Sequence, residues 1–83
     1  MTLVEQILKI LEGTTSEFPI LFEDILSKMP QIHYSDAQMM AEYRAFRICM
    51  VDGYIMQKPN MNLKRYYKYA HQYYFRTDKP YLR

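Results

Sequence analysis

Apolar positions fall into helical spacing first. Leu3, Val4, Ile7, Leu8 and Leu11 recur on one face of a 3.6-residue repeat. Thr2 and Glu5 have the spacing of a capping box, in which each residue satisfies a backbone amide of the first turn. Gly13 can supply a left-handed C-terminal cap, so a first helix is predicted from about Thr2 to Glu12. Phe18-Pro19-Ile20 is short and interrupted by proline, which allows a very short edge strand or the first turn of a helix. A second helix is expected from about Pro19 to Met29, burying Ile20, Leu21, Ile25, Leu26 and Met29, with Pro30 ending it.

Gln31 to Tyr34 reads as a turn. Ser35 is a good N-cap, and Asp36 suits the positive end of the helix dipole. A third helix should run from about Ser35 to Val51. On its wheel Met39, Tyr43, Phe46 and Met50 form one apolar stripe, and Ala37, Ala41 and Ile48 form a second. Asp36, Met40, Arg44 and Arg47 lie between them on one side; Gln38, Glu42 and Cys49 lie on the other. A helix apolar on two sides is expected at the centre of a fold. Asp52-Gly53 ends it.

Beyond Gly53 the period changes. Tyr54 to Lys58 reads as a strand and Pro59 to Asn62 as a turn. Arg65 to Arg76 fits two periods. With period two, Tyr67, Tyr69, His71, Tyr73 and Phe75 share one face, and Lys68, Ala70, Gln72 and Arg76 the other. With period 3.6, Leu63, Tyr66, Tyr67, Ala70, Tyr73 and Tyr74 make a helical stripe. The aromatic content favours strand. On that reading the tyrosine face packs on helices, and Tyr66 and Tyr74, on the basic face, are the exposed ones.

Charge divides the chain at the same place. Up to Gly53, four basic residues stand against eight acidic ones, a balance of −4; beyond it, seven stand against one, a balance of +6. A basic segment on a near-neutral protein suits a polyanion, or serves as a solvated surface. Eighty-three residues, 49% hydrophobic with two glycines, make one small globular domain over 1–83. The lone Cys49 excludes an internal disulfide, and nothing has zinc spacing. The absence of a basic leader and of a long apolar run leads us to expect a cytoplasmic protein with no membrane partner.

The junction Tyr43-x-x-Phe46-x-x-Cys49-x-x-x-Gly53-Tyr54-Ile55 resembles the end of the recognition helix in winged helix-turn-helix proteins, where a glycine opens the first wing strand. Tyr73-Tyr74-Phe75-Arg76-Thr77 resembles the second wing strand of PadR-like and related transcriptional regulators. The resemblance covers about Leu3 to Thr77. It departs from the pattern at Cys49, where leucine is usual, in the length of the third helix with its Asp36 and Glu42, and in a hairpin loop longer than a minimal wing.

The resemblance implies an α+β fold of three helices followed by a two-stranded β-hairpin wing. It also implies a transcriptional regulator that binds double-stranded DNA. The third helix would enter the major groove with Ser35, Gln38 or Arg44 near base edges. Lys58, Lys64, Arg65 and Lys68 would meet the backbone or minor groove from the wing. Arg44 and Arg47 share a face with Met40. They serve either as base contacts or as a solvated stripe paired with Asp36 and neighbouring acids. A homodimer and a protein partner are the other associations considered. The alternative reading is a winged-helix protein–protein interaction module without DNA binding, with exposed Met56 and Met61 at the hairpin. Met39, Met40 and Met50 are read as core filler. No nucleophile–base set, phosphate loop or metal site is legible. His33, His71 and Cys49 therefore carry no catalytic or metal role, and no enzyme activity or cofactor is expected.

Overall fold

A computed structural model describes residues 2–29, 35–58 and 71–81. In these residues three helices and three strands follow the order α1 (Leu3–Ile10), β1 (Ile20–Leu21), α2 (Phe22–Ser27), α3 (Asp36–Val51), β2 (Ile55–Lys58) and β3 (Tyr73–Arg76). The strands form one antiparallel sheet in the order β1-β3-β2. The class is α+β, as expected, but the sheet has three strands and not two.

The extra strand also explains the shortened second helix. Ile20 and Leu21 pair with Tyr74 and Tyr73, so they are extended, and α2 starts at Phe22 and not at Pro19. Phe22 N–H continues the ladder by donating to Gln72 O at 2.9 Å. The short edge strand allowed at Phe18-Pro19-Ile20 thus lies slightly further along.

Local signals set both ends of the long elements. The Thr2–Glu5 capping box is present in full, with Thr2 Oγ1 accepting from Glu5 N–H and Glu5 returning to the Thr2 backbone. Ser35 Oγ accepts from Gln38 N–H at 3.1 Å and caps α3. Gly53, at φ 82°, closes α3. Tyr54 N–H reaches Cys49 O, and Gly53 N–H reaches Met50 O. These two bonds are the Schellman pair, and the left-handed residue between them favours glycine.

The core lies where α1, α2 and α3 meet one face of the sheet. Ile7, Leu8 and Leu11 from α1 and its end meet Phe22, Ile25 and Met29, and Ala45, Phe46 and Cys49 of α3, with Ile55 and Tyr74 from the strands. Its centre is aromatic. Phe22 and Phe46 have ring centroids 4.9 Å apart, and Tyr74 lies 5.5 Å from Phe46 and 6.0 Å from Phe22. Each such pair adds about 0.5–1.5 kcal/mol to the area buried.

Two face assignments are corrected. Tyr74, expected outside, is 0% exposed, and Tyr73 and Phe75 lie on the opposite face. Alternation holds over β3, but with the faces exchanged. Because the side-chain period is two, a choice made one residue off reverses every position. On α3 the buried face is Glu42, Ala45, Phe46 and Cys49, whereas Ala37, Met39, Met40 and Ile48 are exposed. The helix is therefore buried along one side, not two, and Met39 and Met40 are not core filler. Met50 is half-buried against the core. Residues 65–70 of the strand-or-helix segment, the turn at 59–62, Tyr66, Met61, His33 and Pro30 lie outside the described residues.

Candidate nucleic-acid interface

The side of α3 turned from the core carries Asp36, Ala37, Met40, Arg44, Arg47, Ile48 and Val51, all exposed. At about 100° per residue these positions fall within one arc of the wheel. Arg44 and Arg47 stand at its middle, three residues apart, beside Met40. Neither arginine takes part in an ion pair among the described residues.

Glu42 lies on the other side. Its side chain is 1% exposed, and Gln38 Nε2 donates to Oε1 at 3.4 Å. Oε2 has no hydrogen-bond partner among the described residues. The carboxylate in the middle of α3 therefore does not face outward, and Asp36 at the first turn is the acidic residue left on the exposed arc.

The other expected site residues divide three ways. Ser35 is committed to the cap, and Gln38 is turned toward Glu42; neither projects with the arginines. Lys58 is exposed on β2, where its Nζ donates to Ser16 O at 2.6 Å. Lys64, Arg65 and Lys68 lie outside the described residues. The structure thus brings Arg44 and Arg47 together on one face and gives Ser35 and Gln38 structural tasks.

Basic residues after β2 also hold the end of α3. Lys79 Nζ donates to Asp52 O at 2.5 Å, and Thr77 Oγ1 donates to Gly53 O at 2.6 Å. Arg76 Nη1 donates to Tyr54 O at 2.7 Å. Cations at a helix C-terminus complement its negative dipole end. Lys79 Nζ also lies 4.9 Å from the Tyr54 ring centroid and the Arg76 guanidinium 5.6 Å from it. Part of the basic charge that looked available to a polyanion is committed here. Sequence reasoning missed this use because the partners are 22 to 27 residues apart, with no local spacing to announce them.

Cys49 is buried, and burial pushes its thiol up to about 11 from 9.0, with Arg76 opposing the rise. Enclosed among the core side chains, it packs there as a small hydrophobe. His71 meets Glu23, its Nδ1 3.4 Å from Oε1, a carboxylate contact that spacing did not reveal. Among the described residues, no three His, Cys, Asp or Glu side chains gather to hold a metal ion. No helix among them is long and apolar enough to cross a membrane. No family model, no curated protein and no solved structure matches the chain.

Proposed function

We propose that the protein is a winged-helix domain that binds double-stranded DNA and acts as a transcriptional regulator, with α3 as the helix that enters the major groove. The element order α1-β1-α2-α3-β2-β3, with β1 and β2 flanking β3, supports the winged-helix reading. The observation that carries the DNA reading is the exposed arc of α3. It presents Arg44 and Arg47 together while the mid-helix Glu42 is withdrawn into the core. Of the two acidic residues that would repel phosphate along this helix, one is removed by burial.

An arginine can reach guanine O6 and N7 with two parallel bonds, and Met40 and Ala37 beside it offer apolar contact to a thymine methyl group. Lys58 at the end of β2 adds charge toward the phosphate backbone, with Lys64, Arg65 and Lys68 beyond it in the chain. Fluorescence anisotropy of a labelled mixed-sequence duplex tests the reading. Binding should appear at low salt and weaken as salt is raised, because bound phosphates release their counterions. Ile48 and Val51, exposed at the C-terminal end of the same arc, favour the second reading, a protein partner on α3. Absence of duplex binding at the lowest salt would leave that one standing.

A further inference from the structure

Gly53 joins α3 to β2, and what braces that joint comes from the far end of the sheet. As β3 ends, Thr77 N–H donates to Tyr54 O at 2.9 Å. Thr77 Oγ1 has one proton to give and two carbonyls within reach, Gly53 O at 2.6 Å and Tyr54 O at 3.1 Å. It also accepts from Lys79 N–H at 3.3 Å. The hydroxyl thus ties together three backbone groups, two in the joint and one in the segment after β3.

That tie lays Lys79 across the joint. Its Cδ would stand 3.8 Å from a Cβ built on Gly53, and its Nζ donates to Asp52 O. Tyr81 then meets the Tyr54 ring edge-on, with centroids 5.2 Å apart, and both rings pack against the core. Residues 77–81 therefore form a brace over the end of α3, and Thr77 is where it begins.

The brace matters because the core holds α3 along one face only, through Glu42, Ala45, Phe46 and Cys49. Side-chain packing by itself admits a spread of about 15–20° in how two helices cross. At 1.5 Å per residue, Arg44 stands about 13 Å before Gly53, so a tilt of about 10° at the joint moves its backbone by about 2 Å. A functional side chain must be held to within about 0.5 Å of its productive geometry. An arginine that sets two parallel bonds on a base edge therefore needs the helix angle fixed at its end.

We propose that Thr77 is a positioning residue for the exposed arc of α3, an inference that rests on the DNA reading above. Its hydroxyl fixes the angle of α3 against the sheet, and so the register in which Arg44 and Arg47 meet base edges. It acts through the helix and not by contact with the duplex.

Hydrogen exchange and duplex binding by the whole chain test it, with Thr77→Val and Thr77→Ser. Valine keeps the shape without the hydroxyl; serine keeps the hydroxyl. Thr77→Val should speed exchange of the Gly53 and Tyr54 amides at least about tenfold. Its preference for duplexes that the parent selects from a random pool, over mixed-sequence duplex, should fall at least about fivefold, with the salt slope kept because no charge is lost. Thr77→Ser should restore both. Glu23→Ala, which weakens the fold away from the joint, should leave the preference unchanged, and this separates positioning from lost stability. Lys79→Met, at an exposed position, removes the bond to Asp52 O and carries the exchange and preference test if Thr77→Val does not fold. Parent-like exchange in Thr77→Val, or no rescue by Thr77→Ser, overturns the proposal. So does faster exchange with the preference kept, which is a structural role alone. A parent that binds no duplex overturns the DNA reading and the register claim with it, whereas faster exchange in Thr77→Val would still establish the brace.

Discussion

The backbone N–H of His71 donates to Glu23 Oε1 at 2.8 Å, joining the first turn of α2 to the chain entering β3 across 48 residues. His71 holds φ 62°, a left-handed conformation that a side chain makes unfavourable. The carboxylate therefore helps to hold a strained residue whose imidazole also faces it at 3.4 Å.

Glu23→Ala should destabilise the fold by about 1–2 kcal/mol, through loss of a charge-assisted bond to a backbone donor. For a domain of this size that lowers the melting temperature by roughly 5–15 °C. His71→Gly should cost little or stabilise, because glycine accepts the left-handed conformation freely. Thermal unfolding followed by circular dichroism measures both. A Glu23→Ala variant that melts like the parent would remove this tie from the account.

The exchanged faces of β3 can be tested by paired substitutions. Tyr74→Ala empties the centre of the aromatic cluster and should cost about 3–5 kcal/mol. Tyr73→Ala, on the outer face, should cost under about 1 kcal/mol. Tyr74→Phe keeps the ring and removes the hydroxyl, to which Gln57 Nε2 donates at 3.4 Å, a loss of about 1 kcal/mol or less. Urea titration of the three variants would expose a wrong assignment if Tyr73→Ala proved the costlier alanine change.

Local chemistry explains what could be read in advance here. The capping box at Thr2, the cap at Ser35 and the stop at Gly53 depend on residues no more than five positions apart, so the sequence displays them. The face of β3 depends on Ile20 and Leu21, more than 50 residues away, which pair with Tyr74 and Tyr73 and close the sheet over α2 and α3. Alternation shows that two faces exist; only that distant pairing decides which is buried. Glu42 follows the same logic. A wheel places it beside Cys49 and Gln38, but hydrophobicity assigns such a residue to solvent, against the burial it takes. For the candidate site, Arg44 and Arg47 could be read because they share a helix face. The cap tasks of Arg76, Thr77 and Lys79 could not.

Glu42 supports a further prediction. A carboxylate with one oxygen unpartnered among the described residues is costly to keep out of water. Glu42→Gln keeps the shape and removes the charge. It should raise stability by about 1 kcal/mol and leave duplex affinity unchanged, since the side chain does not face the exposed arc. A melting temperature lowered by the change would mean that the charge itself is needed.

Cys49 gives a signature in pH. Its folded-state value, raised by burial to about 11, lies above the ordinary 9.0. The folded state holds the thiol proton more tightly than the unfolded one does. The stabilisation is fully present below pH 9, and it is lost as pH rises toward 11. The loss should reach about 2 kcal/mol by pH 11 relative to Cys49→Ala. Equal pH slopes for parent and variant between pH 9 and 11 would show the thiol to be accessible.

The central claim concerns the exposed arc of α3, and salt-dependent duplex binding of the Arg44→Ala, Arg47→Ala double variant tests it most directly. The parent should bind at low salt, with log affinity falling linearly in log salt concentration. The double variant should bind at least about tenfold more weakly, with sequence preference relaxed where the arginines reach base edges. A folded double variant that matches the parent in affinity, sequence preference and salt slope would contradict the account.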